Sequence, residues 1–195
     1  LGPVAQCMDI HRGDRFTTLV AMDTESFFGK DWVEKNTGKE CKEFRNGDHT
    51  TTLMRTAKGK VIEIQHNVMT PQPYNRLFKL TGTKGYATKY PTPEYALSGE
   101  VFKGTDAPQV DNLNAHGFIN AEQKKALEKK YYHPILTKYG EKGRDMGHGG
   151  MDYIMDARLV YCLQNGLPLD MDVYDMAEWC SLAELGTLSM DNNCA

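Results

Sequence analysis

The sequence predicts an α+β fold, an open and mainly antiparallel sheet with helices packed on one face, and three observations predict it. Two stretches of strand-like alternation in the first half of the chain are each interrupted by a short turn containing glycine. Two apolar-periodic helical stretches close the second half. Strands and helices come in blocks, without the strand–helix–strand alternation that builds parallel sheets. A chain of 195 residues is long enough to bury a core, and one domain is expected.

Taken in order, Val4 to Ile10 reads as a short helical run behind Leu1-Gly2-Pro3, and Phe16 to Met22 as a strand of β-branched and apolar residues. Residues 29 to 49 are polar and charged, which suits a surface insertion with a helical turn. Thr50 to Thr56 and Val61 to Val68 flank Ala57-Lys58-Gly59-Lys60, a hairpin by composition and spacing. A second hairpin runs from Arg76 to Thr81 and from Tyr86 to Tyr90 around Gly82-Thr83-Lys84-Gly85, and Tyr95 to Leu97 adds a short strand. That tetrapeptide joins strand to strand, so it is a turn rather than a phosphate loop. Between the hairpins, Pro71 and Pro73 stiffen the approach to Tyr74, which stands at the exit into a strand.

Residues 98 to 120 read as loop. A helix is expected over 121 to 139, with Ala126, Leu127, Tyr131, Ile135 and Leu136 inward and Pro134 kinking or splitting it. Gly147, Gly149 and Gly150 then surround His148, giving a backbone free to take positive φ and approach a ligand closely just before a helix. The helix over 153 to 164 belongs to a stripe of Met151, Ile154, Met155, Leu159, Cys162 and Leu163, and Asn165-Gly166 with Pro168 stops it. Asp170 or Asp172 offers an N-cap for the helix over 173 to 188. That helix carries Val173, Met176, Ala177, Cys180 and Ala183 on one face and Trp179, Leu182 and Leu185 on another, so it is expected to be buried.

Charge argues against nucleic acid as a partner: 23 Lys and Arg stand against 26 Asp and Glu, and the one basic cluster, Lys124, Lys125, Lys129 and Lys130, suits a solvated helix face. No apolar run is long enough for a membrane span. The cysteines, Cys7, Cys41, Cys162, Cys180 and Cys194, show no CxxC and no small-domain disulfide spacing; buried free thiols are expected, and no metal site. Nucleophilic triads, P-loops, HExxH and GxGxxG are absent. Asp152, Asp156, Asp170, Asp172 and Asp175 lie where caps and helix-dipole partners lie, His66 and His133 read as structural, and His148 is the candidate for ligand contact.

Three blocks carry a family resemblance: LGPVAQCMDIHRGD at the start, TAKGKVIEIQHNVMTPQPYNRLFKLTGTKG in the middle, and HGGMDYIMDARLVYCLQNGLPLDMDVYDMAEWCSLAELG near the end. Together they resemble the C-terminal domain of glycoside hydrolase family 109, the α-N-acetylgalactosaminidase branch of the Gfo/Idh/MocA oxidoreductase superfamily. The resemblance implies a parent enzyme in which an N-terminal Rossmann domain, absent from this chain, holds NAD, while residues 1–195 form the substrate-binding and association domain. It implies that NAD transiently oxidises the sugar at C3, that the glycosidic bond leaves by elimination, and that water adds before the hydride returns. In the family, LGPV follows a Tyr-Pro-Thr-His-Gly segment whose tyrosine and histidine belong to the active site, so the resemblance assigns no catalytic residue to this chain. The family chain also runs past the position of Ala195.

By the same resemblance Tyr74 of TPQPY inherits a substrate-contacting role, and His148 of GHGG lines the same pocket. No cofactor is expected on the isolated chain. The partners implied are the Rossmann domain of the same protein, a carbohydrate substrate, and a second copy through the sheet face. The chain begins at Leu1 rather than Met; export of the parent, for instance to the periplasm, is expected, with the cytoplasm as the alternative. Two other functions stay open: the C-terminal domain of an ordinary NAD(P)-dependent sugar oxidoreductase, and chiefly an oligomerisation module.

Overall fold

A computed structural model describes residues 1–67, 69–113 and 116–194. The chain packs as two compact units, Leu1–Pro73 with Asp170–Ala195, and Tyr74–Leu169. The fold class is α+β, and both sheets are antiparallel.

The first unit begins with helix α1 (Gly2–Cys7) and continues into strand β1 (Phe16–Asp23), helix α2 (Gly29–Thr37), and the hairpin of β2 (His49–Thr56) and β3 (Val61–Asn67). Val68, expected to end β3, lies outside the described residues. The sheet order is β1-β2-β3. Gly59, at φ 80°, makes the hairpin turn, as its place in Ala57-Lys58-Gly59-Lys60 requires. The register sets Leu19 beside Met54 and Ile62, and Ala21 beside Thr52 and Ile64, on one face. Ala21, Met54 and Ile62 are buried there.

Helix α6 (Val173–Asp191), which ends the chain, packs on β1. The Ala21 amide donates to the Ser189 hydroxyl at 3.0 Å, so α6 satisfies a group on the free edge of the sheet as well as covering its apolar face. Val20, Met22, Leu53 and Val61, on the opposite face, are exposed. The helix is anchored by the loop after α1. Arg12 donates from both terminal nitrogens to the two carboxylate oxygens of Asp175, each at 2.8 Å, and the Asp175 side chain is 1% exposed. Asp175 also accepts from the Asp172 amide while Asp172 accepts from Tyr174 and Asp175, a reciprocal cap at the start of α6. Of the two N-caps offered by the sequence, Asp172 is the one used.

Two further carboxylates brace this unit. Asp48 accepts from the amides of Phe27, Phe28 and Gly29, closing the N-terminus of α2. Asp14, fully buried, accepts from the amides of Arg15 and Lys58 and lies 3.4 Å from the Lys60 ammonium. Burial pushes the Asp14 carboxyl up, but bonds from Thr56, Arg15, Lys58 and Lys60 outweigh it and bring the group down to about 2. The Arg12 guanidinium, with the Asp172 amide, likewise holds Asp175 at about 2 against the effect of burial.

In the second unit, strands β4 (Lys79–Gly82), β5 (Gly85–Thr88) and β6 (Glu94–Leu97) form a separate sheet in that order. The strands read from the sequence as one sheet therefore divide between two. Pro71 and Pro73 supply no amide hydrogens, and Leu77 sits at φ 45° with its amide bonded to the Asn75 side chain, so the stretch before Lys79 cannot continue a ladder. The second hairpin accordingly starts later than Arg76 and ends at Thr88 rather than Tyr90. Phe102, in a short 3-10 turn (Gly99–Phe102) inside the expected loop, forms a core with Ala107 and Ile119, against which Tyr95, Leu97, Ala126 and Leu127 pack. Pro134 splits the expected long helix into α3 (Ala121–Tyr131) and α4 (Pro134–Gly143), with His133 capping α4 by accepting from the Ile135 amide. Helix α5 (Met151–Asn165) ends at Gly166 in the left-handed conformation and packs against α4, where Tyr139 and Tyr153 meet edge to face.

One expectation fails clearly. Helix α6 is not buried: Val173, Met176, Leu185 and Leu188 are exposed; on the stripe of α5, Met151, Met155, Leu159 and Leu163 are exposed too, and Cys162 is the buried apolar residue. Their periodicity fixes the helices, but within each unit only one side of each has a neighbour. The thiols are free as expected, yet Cys162 alone is buried, while Cys7 and Cys180 are exposed. Among the described residues, no helix is long and apolar enough to cross a membrane.

The linkage of Asp14 and Asp175 has a defined sign. Their folded-state values of about 2 lie below the ordinary 3.8, so their contribution is complete above about 4 and is lost as pH falls through about 2. Asp175→Asn is expected to lower Tm by several degrees at pH 7, and the gap from the wild type to close as pH falls from about 4 to about 2. Thermal melts across that range check it, and a gap that is constant with pH contradicts it.

Candidate functional site

Tyr74 and His148 both lie in the second unit, each held by its own set of neighbours. Tyr74 belongs to the unpaired stretch before β4 rather than to the start of a strand, and it is 72% exposed. Its hydroxyl accepts from Arg76 Nε, the Arg76 guanidinium lies 5.7 Å from its ring centroid, and the Tyr90 ring meets it edge-on at 6.2 Å. The phenol is thereby oriented without being covered.

The loop around His148 is built from backbone that few residues adopt. Gly147, His148, Gly149 and Gly150 run through φ of 38°, 49°, 68° and 97°. A non-glycine residue in that region carries strain on the order of 1–3 kcal/mol and persists only where its surroundings enforce it. Here the enforcement is visible: a Cβ on Gly150 would lie 2.9 Å from the backbone of Gly143, at the end of α4, so the two chains touch where neither has a side chain. The His148 Nδ1 lies 2.9 Å from Asp152 Oδ2, in the first turn of α5. The imidazole is 75% exposed and the carboxylate 44%.

In the first unit, a cavity of about 690 Å³ opens between β1 and α6, and neither Tyr74 nor His148 lines it. Its walls mix apolar side chains such as Leu19, Met54 and Leu182 with the hydroxyls of Thr17, Thr18, Ser181 and Ser189, and Glu178 is the charged member. Glu178 Oε2 stands 2.6 Å from His11 Nε2, one turn along α6 from the Arg12–Asp175 pair. Sequence reasoning singled out none of His11, Arg12 and Glu178. The signal was present as acidic residues three apart on α6, Asp172, Asp175 and Glu178, but their basic partners lie more than 150 positions away in the chain.

The description Glycosyl hydrolase 109, C-terminal domain, matches residues 1–195. The chain belongs to this family. It is 86% identical to Glycosyl hydrolase family 109 protein 3 of Phocaeicola vulgatus over 195 residues, which is all of this chain and 35% of that protein. Over 196 residues it is 56% identical to family 109 protein 1 of Bacteroides fragilis and 54% identical to the family 109 protein of Porphyromonas gingivalis, covering all of this chain and 42% of each of those proteins. The chain thus spans well under half the length of these curated relatives.

In this family 109 domain, the described residues include no parallel strand–helix–strand unit. Both sheets are antiparallel, and the helix that follows a strand most directly, α2 after β1, has the amides at its start taken by Asp48. Nor does any group of three or more His, Cys, Asp or Glu among them suit a metal ion.

The Gly143–Gly150 contact predicts how the loop responds to a methyl group. Gly150→Ala combines φ 97° with a backbone clash, and it is expected to destabilise by about 2 kcal/mol or more, whereas Gly166→Ala, at φ 61° in open space, costs about 1 kcal/mol. Denaturant melts of the two variants check the order, and equal losses contradict it.

Proposed function

We propose that this domain supplies the substrate-facing part of an NAD-dependent glycosidase that acts on α-N-acetylgalactosaminides. The observation that carries the glycosidase reading is the match to the family 109 C-terminal domain along the whole chain. The chain's fraction of its relatives' length, 35% to 42%, leaves ample sequence elsewhere for a cofactor domain, and the occupied α2 terminus fits NAD being held outside this chain. Tyr74 and His148 are the sugar-facing residues in this reading. Each is exposed, each is oriented by a neighbouring side chain, and each presents an atom suited to a sugar hydroxyl. The exposed apolar sides of α5 and α6, and the exposed face of β1-β2-β3, suit burial against the rest of the protein or a second copy.

The test uses the full-length protein and chromogenic α-N-acetylgalactosaminides, with bound NAD removed and then restored. Hydrolysis that depends on NAD, with no accumulation of reduced cofactor, is the expected result. Stoichiometric reduction of NAD instead identifies a net oxidoreductase. Tyr74→Phe removes one hydroxyl at constant shape and is expected to lower kcat/KM about tenfold with Tm unchanged, the weight of one hydrogen bond. His148→Ala is expected to lower it further, by roughly a hundredfold, again with little change in Tm. Wild-type kinetics in both variants remove these residues from the site.

A further inference from the structure

We infer that Asp152 is a positioning residue that fixes the tautomer of His148, so that the imidazole meets a sugar hydroxyl as a hydrogen-bond acceptor. The inference rests on the reading of His148 as a substrate-facing residue. Its geometry lies wholly within the loop and the first turn of α5.

An ionised carboxylate has no hydrogen to give, so the 2.9 Å contact between His148 Nδ1 and Asp152 Oδ2 places the hydrogen on Nδ1. In the neutral ring the remaining lone pair then resides on Nε2, and the 75% exposure of the side chain leaves that edge open to a ligand. Two features hold Asp152 to this task. It stands in the first turn of α5, where the helix dipole favours an anion. The loop wraps it closely, since a Cβ on Gly147 would lie 2.3 Å from Oδ2.

A carboxylate that selects a histidine tautomer without itself taking a proton is a known physical device, and its removal changes what the ring can do more than where it sits. For a sugar, the difference is one of direction. With Nε2 bare, the ring accepts from a hydroxyl; with hydrogen on Nε2, it can only donate there. Without Asp152 the ring is free to take the second tautomer.

The test is 15N NMR of histidine in the full-length protein, at a pH where the ring is neutral, with His148 identified by the signal that His148→Ala removes. The wild type is expected to show hydrogen on Nδ1 and a bare Nε2, and Asp152→Ala to shift His148 toward the Nε2–H form. In parallel, Asp152→Ala is expected to lower kcat/KM by roughly 10- to 100-fold, with Asp152→Glu recovering part of the loss. A wild-type ring with hydrogen on Nε2, or a tautomer unchanged in Asp152→Ala, overturns the inference whatever the activity. A wild-type rate in His148→Ala instead removes the substrate-facing reading on which it rests, and the two failures are read by different measurements.

Discussion

The first unit depends on the pairing of Arg12 with Asp175. One carboxylate, 1% exposed, takes both terminal nitrogens of the guanidinium and completes the cap of α6, so the helix start and the loop after α1 are fixed by the same two oxygens. An unpaired charge in that position would be costly, and the fork geometry of arginine is what makes its burial tolerable. With the start of α6 held, the rest of the helix lies along β1, where Ser189 meets the Ala21 amide and Gly186 passes close to the Ala21 methyl group. Lysine at position 12 would keep the charge and lose the two-point registration.

The second unit solves a different problem by different means. Its apolar core is small, centred on Phe102, and among the contacts between α4 and α5 are glycine backbone and a tyrosine pair. The absence of side chains at Gly143 and Gly150 brings the end of one helix against the start of the next, and that contact holds the intervening loop in its strained course. Backbone contact is stiffer than side-chain contact, because no rotamer can relax to relieve it. The histidine at the crown of the loop inherits that stiffness.

Much of the architecture was legible in the residues. Gly59 and the Gly82–Gly85 turn marked both hairpins, Pro134 marked the break between α3 and α4, and Asn165-Gly166 marked the end of α5. These signals are local, since each follows from what one residue's backbone can or cannot do. The division into two sheets was less legible, because it hinges on Leu77 taking φ 45° beside Asn75, a choice that neither residue type announces. Burial was misread for α6 because apolar faces show that a helix avoids water but not which chain covers it. The positive-φ freedom around His148 was legible from its glycines, while the Asp152 partner emerged only with the coordinates. The pairing of His11 and Arg12 with Glu178 and Asp175 was invisible to periodicity for the same reason that makes it structurally useful, its great separation along the chain.

That separation bears on how the protein is made. The second unit is continuous from Tyr74 to Leu169, whereas the first is assembled from Leu1–Pro73 and Asp170–Ala195. During synthesis the strands β1, β2 and β3 emerge before the whole of the other unit, and the helix that packs on β1 emerges after it. The nascent sheet therefore waits with its apolar face and the free edge of β1 uncovered, the kind of surface on which chaperones act and from which wrong pairings start. The first unit is complete only once Asp175 meets Arg12, because the ion pair that fixes the finished structure takes one partner from each of its two segments.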